Sequence, residues 1–344
     1  MQTIPKRVII CPLTINKDNS VHHQQVVIEG TSCVISTTIN EVELHRVSSP
    51  APPPPPFTIV TAASANHLCA LESLLYNLYD YRAQFPAFPR IIVYNLGVNK
   101  TTQLPTLHQL RDNGLIDELL TFEYDAYPAF WDISASAGEY GWKTAMVYET
   151  AKRVGGRLLW LDAGNQITSA FLSQVIDNIQ QGDGFWSPRS AFRMARLTHP
   201  GMFDYFQADP NDYARNINCN GAVFGLDASN QTIMDTIIEP WYQCGLDKNC
   251  IAPPGSSRKN HRQDQAVLTF LAYRSGHSCQ WSHRFFKMQT HRDIACRANL
   301  LERETLRVLN HPSTTDYPPW TPSDTFDLVN HPEWRYPGLK TFFP

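Results

Sequence analysis

Asp162 stands directly after an apolar run, residues 158–161, and opens a short polar turn. The turn continues with Ala163, Gly164 and Asn165. A run of this kind predicts a buried strand, and the carboxyl ends of such strands are where open α/β sheets bind ligands. Because hard cations take oxygen ligands, Asp162 and the Asn165 amide could hold a divalent cation against a diphosphate. A turn in which Asp162 only caps the next helix is equally open at this point.

Two more candidate residues stand at the starts of predicted helices. Lys143 lies in a first helical turn, where the helix dipole disfavours a cation unless an anion such as a phosphate is close. A lysine that extends into solvent is the alternative. Asp264 lies in the segment 261–265, where the dipole stabilises a carboxylate that could accept a proton from a hydroxyl group. A first-turn Asp that only stabilises its helix is the alternative here.

The elements that must position these residues alternate between strands and helices from residue 57 onward. Short β-prone runs predict strands over 57–61, 90–95, 119–124, 158–161, 185–187 and 220–226. Apolar stripes at helical spacing predict helices that include 68–78, 104–114, 142–154, 169–179, 229–242 and 261–271. This alternation predicts an α/β domain with a mainly parallel sheet and crossover helices.

Composition divides the chain into four parts. Residues 1–50 carry short β-prone pieces and predict a small β extension, and residues 51–56 form a proline-rich linker with polyproline character. The α/β domain is predicted over 57–309. Residues 310–344, rich in proline and aromatic residues, predict an irregular tail.

The net charge of −3 and the absence of a long basic cluster argue against nucleic acid as a partner. No apolar stretch has the length of a membrane helix, so no membrane span is expected in this chain. The eight cysteines show no paired spacing for zinc, whereas Cys244 and Cys250 flank a short loop that a disulfide could close. With two N-x-Thr sequons, at Asn99 and Asn230, this favours the secretory-pathway lumen or the extracellular space. The cytoplasm is the alternative.

Three motifs occur in a set order: Trp142 and Lys143 opening one helix, the 160–165 string, and the 261–265 helix start. In this order they resemble nucleotide-diphospho-sugar transferases of the GT-A fold. More narrowly, they resemble a eukaryotic group in which Trp-Leu-Asp-Ala-Gly-Asn replaces the usual Asp-x-Asp. The resemblance spans roughly residues 57–298. It implies a Rossmann-like, mixed and mainly parallel sheet flanked by helices.

The resemblance also implies roles for individual residues. Donor binding would involve Thr61, Ala62, Lys143, Asp162, Ala163, Gly164 and Asn165. Asp264 would be the catalytic residue, as the base of an inverting transfer or as an orienting group in a retaining one. Contacts to the acceptor or sugar would come from Asn220, Gly221, His261, Arg262 and Gln265.

In the family, a divalent cation, Mn²⁺ or Mg²⁺, neutralises the departing nucleoside diphosphate. The ligands expected here are Asp162, Asn165 and one late histidine, for which His283 is preferred. Gly164 stands where the second Asp of the motif is expected, so the metal set lacks a carboxylate.

The expected function is transfer of a sugar from a nucleotide-diphosphate donor to a hydroxyl acceptor, which could be a glycan, a protein or a small molecule. The alternative is a non-catalytic module that binds nucleotide sugars or carbohydrates on the same fold. Gly164 is the residue on which the choice between them depends.

Overall fold

The structure is a computed structural model that describes residues 26–28, 31–33, 54–280 and 287–310. The chain divides into two compact units, Met1–Pro52 and Pro53–Pro344. In the first, β1 (Val26–Ile28) pairs antiparallel with β2 (Thr31–Cys33). Most of the predicted β extension, residues 51–53 of the linker, the tail beyond 310 and His283 lie outside the described residues. The domain boundaries at 50, 57 and 310 stay predictions.

The second unit contains a central six-stranded sheet. Its strands in chain order are β3 (Thr58–Ala63), β4 (Arg90–Asn95), β5 (Glu118–Thr121), β6 (Arg157–Leu161), β7 (Phe185–Trp186) and β10 (Val223–Asp227). A separate antiparallel pair joins β8 (Arg189–Arg193) to β9 (Ile217–Cys219). In the sheet, β3 pairs parallel with β4 and β6, β4 pairs parallel with β5, and β10 pairs antiparallel with β6 and β7. This mixed, mainly parallel sheet confirms the predicted fold class.

Helices flank the sheet. The first four are α1 (Leu68–Tyr79), α2 (Leu104–Asp112), α3 (Gly141–Val154) and α4 (Ser169–Gln181). Four short ones follow, α5 (Met194–Leu197), α6 (Pro200–Tyr205), α7 (Pro210–Tyr213) and α8 (Gln231–Ile233). The last four are α9 (Glu239–Leu246), α10 (Lys248–Ile251), α11 (Gln263–Arg274) and α12 (Cys296–Asn310). A π-helical turn, Met234–Ile238, joins α8 to α9, and 3₁₀ turns lie at Ala65–His67, Arg82–Gln84, Tyr124–Ala126, Ala129–Trp131, Ser136–Tyr140 and Asp293–Ala295.

The core lies on both faces of the sheet because side chains alternate along each strand. On β6, Leu158 and Trp160 belong to one buried cluster, with residues of α3 and α11. Leu159 and Leu161 belong to the other, with residues of α1, α2 and α4. Both faces of the strand are therefore covered, as its continuous apolar run predicts.

The strand order β5-β4-β3-β6-β10-β7 contains a switch point beside β3. The chain passes from β3 to β4 and β5 on one side, then returns to place β6 on the other side of β3. Connections then leave the carboxyl ends of β3 and β6 in opposite directions, which opens a crevice where α/β sheets bind ligands. The Asp162 turn follows β6 at this crevice.

Three disulfides link described residues: Cys69–Cys296, Cys219–Cys279 and Cys244–Cys250. The last confirms the pairing proposed from the short loop. The first joins the start of α1 to the start of α12 across a sequence separation of 227 residues. No helix in the described parts of the chain has the length and apolar character needed to cross a membrane.

Replacing Cys69 and Cys296 together by alanine should lower the free energy of unfolding more than the same change at Cys244 and Cys250. The sequence separations of 227 and 6 residues mean that the two links remove very different amounts of entropy from the unfolded chain. The loop-entropy relation predicts a difference of roughly 3 kcal/mol. Urea unfolding of the two double variants and the parent, followed by tryptophan fluorescence, measures it. Equal losses would contradict the expectation.

Candidate active site

Asp162 lies just beyond β6 and faces the α3 side of the sheet. Side chains two residues apart share a face of a strand, so Asp162 lies on the same side as Trp160. The Trp160 indole Nε1–H donates a hydrogen bond of 2.7 Å to Asp162 Oδ1. The Asp162 backbone N–H donates to the Ala222 carbonyl at 2.9 Å, which ties the turn to the chain entering β10. With 34% of its side chain exposed, Asp162 is the accessible carboxylate of the site.

Lys143 extends from the first turn of α3 and is buried beneath Asp162. Its ammonium Nζ lies 3.0 Å from Asp162 Oδ1 and 3.1 Å from Asp264 Oδ2. It also donates to the Gly221 carbonyl at 3.2 Å. Two carboxylates and one carbonyl therefore surround a cation whose position at a helix start is otherwise unfavourable.

Asp264 is the second residue of α11, and 8% of its side chain is exposed. The neighbouring α9 anchors the same turn, because Trp241 Nε1–H donates to the Asp264 carbonyl at 2.9 Å. A Cβ added at Gly221 would lie 2.9 Å from Gln265 Cβ and 3.5 Å from Asp264 Oδ2. The lack of a side chain at Gly221 is what lets the start of α11 approach the sheet this closely.

Burial and charge act against each other in this cluster. Burial alone would lower the pKa of Lys143, but the Asp162 and Asp264 carboxylates outweigh it and raise that pKa above its usual value. Burial raises the pKa of Asp264, Lys143 opposes the rise and the Asp162 carboxylate adds to it. The ammonium is thus held permanently charged, and Asp264 holds a proton more readily than an exposed carboxylate does.

The backbone that enters α3 and α11 is left-handed. Ala137, Gly138, Glu139 and Tyr140 have φ between 48° and 61°, and Gln263 has φ of 34°. Residues other than glycine rarely adopt this region, and such strain concentrates at functional sites. Gln263 Nε2 donates to Glu139 Oε2 at 3.1 Å, so a hydrogen bond links the two left-handed segments. These segments lie at the starts of the helices that carry Lys143 and Asp264.

The Asp162–Asn165 turn is buried except at Asp162. Ala163 packs in the core, and Asn165 donates from Nδ2 to the Ala222 carbonyl at 2.7 Å. Gly164 lies against Asp293: a Cβ built at residue 164 would be 2.3 Å from Asp293 Oδ2. The Arg292 N–H donates to the Gly164 carbonyl at 2.7 Å and holds this segment in place. The space of a side chain at position 164 is therefore already filled by a carboxylate from another part of the chain.

The predicted donor residues of β3 lie at the crevice with their side chains inside the protein. Thr61 is fully buried and Ala62 is 8% exposed. Beyond the strand, Ser64, Asn66 and His67 form a small hydrogen-bonded group. The side chains of Thr61 and Ala62 are therefore not exposed to a ligand in this structure.

The structure places the predicted acceptor residues in two groups. Asn220 Oδ1 accepts from the Ala222 N–H at 2.8 Å, and Gln265 Nε2 donates to the Cys219 carbonyl at 2.7 Å, so both hold the turn before β10. Arg262 is half-buried at the start of α11. His261 is fully buried, with Nδ1 accepting from the His199 N–H at 3.2 Å and Nε2 bonded to the Ile251 carbonyl at 3.0 Å. These contacts give His261 a packing role and leave neither ring nitrogen for a sugar.

Sequence reasoning missed several members of the site. Trp160 could have been found, because a position two residues before Asp162 on a strand must share its face. Nothing local indicated that the Gly221 carbonyl would accept from Lys143 or that Asp293 would fill the space beside Gly164. Those contacts depend on how distant segments pack.

The described residues do not form a complete set of metal ligands. Asp162 Oδ1 is bonded to Lys143 and Trp160, and residue 164 has no side chain. Asn165 Oδ1 is buried without a hydrogen-bond partner among the described residues, which leaves it as one neutral oxygen. Within those residues there is also no group of three or more His, Cys, Asp or Glu side chains that could hold a metal ion. Because Asp162 Oδ1 is engaged and residue 164 offers no carboxylate, the expected Mn²⁺ or Mg²⁺ does not fit the residues described. His283 lies outside these residues.

The unit is an α/β domain with a mixed, mainly parallel sheet and charged residues at its switch point. Solved structures similar to it include the bifunctional glycosyltransferase WbbM, at 10% identity and a TM-score of 0.44, covering 67% of this chain. This chain spans 39% of WbbM. The galactosyltransferase LgtC, in complex with donor and acceptor sugar analogues, matches at 14% identity and a TM-score of 0.40 over 62% of this chain and 70% of LgtC.

Core-mannan synthase A (CmsA/Ktr4) from Aspergillus fumigatus, in an Mn/GDP form, matches at 10% identity and a TM-score of 0.44. The match covers 74% of this chain and 83% of that protein. No family model and no curated protein matches the chain. The solved structures named here are glycosyltransferases that match this chain at 10–14% sequence identity.

The stability of the fold should depend on pH through His261. Burial lowers the pKa of His261 from 6.5 to about 4, so the folded protein favours the neutral ring. The neutral His261 ring therefore adds to the free energy of unfolding. This contribution is fully present above pH 6.5 and is lost as the pH falls through about 4. The pKa shift corresponds to about 3 kcal/mol of the free energy of unfolding.

The His261→Gln variant is the matched control, because its amide can still donate to the Ile251 carbonyl but does not titrate. Urea unfolding at a series of pH values should show that the free energy of unfolding falls more steeply toward acid pH for the parent than for the variant. Parallel pH profiles would contradict the assignment of the titrating group.

Proposed function

We propose that this chain binds a nucleotide-diphospho-sugar and transfers the sugar to a hydroxyl acceptor. The observation that carries the proposal is the charged cluster of Lys143, Asp162 and Asp264 at the switch point of the sheet. Buried charges are expensive, and a group of three beside a crevice is typical of a site rather than of a stabilising core.

The donor would lie in the crevice between the ends of β3 and β6. Small side chains at Ala62, Ala63 and Ser64 let the backbone approach the nucleotide closely. The half-buried Asp162 carboxylate has one oxygen engaged by Lys143 and Trp160, and its other oxygen can accept hydrogen bonds from sugar hydroxyls. The donor's sugar would thus lie beside Asp162.

Asp264 is the group proposed to accept the proton of the acceptor. In the transfer, the acceptor oxygen gives its proton to the Asp264 carboxylate and forms a bond to the anomeric carbon of the sugar. The bond from that carbon to the diphosphate oxygen breaks, and its electron pair leaves with the nucleoside diphosphate. A base works best when its pKa is raised toward the working pH, and burial moves the pKa of Asp264 in that direction.

A non-catalytic module that binds nucleotide sugars is the second candidate. It is favoured by the 8% exposure of the Asp264 side chain and by Gly164 in place of a second carboxylate. Saturable binding of a donor without turnover, across a panel of acceptors that includes water, would select this candidate.

We also propose that the protein works in an oxidising compartment, the secretory-pathway lumen or the extracellular space. The support is the three disulfides among the described residues, since protein disulfides persist in such compartments.

Asp162→Asn should weaken binding of the donor sugar. The substitution removes the charge that accepts the sugar hydroxyls but keeps the shape and an acceptor for Lys143. Loss of a hydrogen bond to a charged group corresponds to about 10- to 100-fold in Kd. Isothermal titration calorimetry with a panel of UDP- and GDP-sugars measures it.

Asp212→Asn is the matched control, because Asp212 is an exposed carboxylate of α7. It should bind like the parent. The absence of saturable binding across the panel, for the parent protein with and without Mn²⁺, would overturn the proposed function.

Asp264→Asn should slow transfer strongly while leaving the donor bound. The amide keeps an oxygen for Lys143 but cannot take up the acceptor proton, and loss of general-base catalysis lowers kcat about 10²- to 10⁴-fold. Release of nucleoside diphosphate measures turnover, and calorimetry measures donor affinity in the same variant. An unchanged kcat would rule out Asp264 as the base.

A further inference from the structure

The position of the Lys143 ammonium has a parallel in metal sites. A divalent cation held by carboxylates bridges them and neutralises their charge. In this chain, Lys143 Nζ bridges Asp162 and Asp264, at 3.0 and 3.1 Å, and its single charge offsets one of their two negative charges. Nζ also donates a hydrogen bond to the Gly221 carbonyl at 3.2 Å, so three oxygens lie around the ammonium.

Aromatic rings close the remaining sides of the ammonium. The ring centroids of Trp160, Tyr140 and Trp142 lie 5.2, 5.8 and 5.9 Å from Nζ. Ring faces stabilise a cation at such distances. With only 4% of the Lys143 side chain exposed, the cation is built into the protein and does not have to be taken up from solution.

Position 164 gives a second cation no ligand of its own, because Gly164 has no side chain. A side chain there would meet the carboxylate of Asp293, 2.3 Å from the built Cβ. A divalent ion on Asp162 would also lie beside the ammonium that already occupies Oδ1, and the two positive charges would repel.

We infer that the Lys143 ammonium takes the place of a divalent cation at Asp162, so that this site binds its nucleoside diphosphate ligand without metal. This inference rests on the proposed function for the identity of the ligand. The ammonium pairs with Asp162 and reduces the repulsion that an unpaired carboxylate would exert on a diphosphate. Lys143 is then a positioning residue that also holds Asp264 in its place.

The first experiment measures the affinity of the full chain for UDP and GDP by calorimetry, in EDTA and in Mn²⁺. The inference expects Kd values that agree within about twofold. A loss of more than about tenfold in EDTA would overturn the inference and leave the proposed function standing. Binding of neither nucleotide under either condition would overturn the proposed function instead, and the second experiment would then decide the inference.

The second experiment uses Mn²⁺ alone and measures free Mn²⁺ by electron paramagnetic resonance. The parent protein, Asp162→Asn and Asp293→Asn should give the same Mn²⁺ isotherm, because Asp162 holds no divalent ion. A Mn²⁺ site that is present in the parent and lost in Asp162→Asn would overturn the inference. If Asp293→Asn also lost that site, Asp293 would be its second carboxylate ligand.

Lys143→Met provides the complementary test. Removal of the ammonium leaves Asp162 and Asp264 without a cation, so this variant should gain a Mn²⁺ site that Lys143→Met combined with Asp162→Asn lacks. A folded Lys143→Met protein, checked by circular dichroism, that gains no such site would contradict the inference. If this variant does not fold, the Mn²⁺ isotherms of the parent and Asp162→Asn still decide whether the inference holds.

Discussion

The ion pairs of Lys143 with Asp162 and Asp264 are the interaction on which this site depends. Each of the three groups belongs to a different element: the start of α3, the end of β6 and the start of α11. Removing one partner of a buried ion pair typically costs about 3–5 kcal/mol, because the remaining charge is left uncompensated. The cluster therefore fixes the relative positions of two helices and the sheet, and the same charges supply the chemistry proposed for the site.

The sheet topology explains why these elements meet. Because β10 runs antiparallel to β6, the residues that precede it lie beside the end of β6, and this brings the Gly221 carbonyl to Lys143. The switch point beside β3 opens the crevice in front of Asp162. Left-handed backbone at Tyr140 and Gln263 marks the starts of the two helices that carry Lys143 and Asp264. The arrangement places strain and buried charge together, as functional sites do.

Much of the fold could be predicted because local periodicity determines it. The predicted strand over 90–95 coincides with β4, whereas β5 ends at Thr121, before a 3₁₀ turn that begins at Tyr124. The strand predicted from residue 220 begins at Val223, because Asn220 bonds to Ala222 and forms a turn. Strand β8 was missed since its exposed ends, Arg189 and Arg193, give no apolar pattern.

By itself, the sequence determined the α/β class and the strand that ends at Asp162, and it identified Lys143 and Asp264 as candidate site residues. Only the tertiary structure decided that these three charges share one cluster, that His261 is a buried packing residue and that the carboxylate beside Gly164 comes from Asp293. The physical reason is the distance along the chain over which each interaction acts. Hydrophobic periodicity and helix capping act within a few residues, whereas the partner of a buried charge is chosen by the packing of segments that are far apart in the chain.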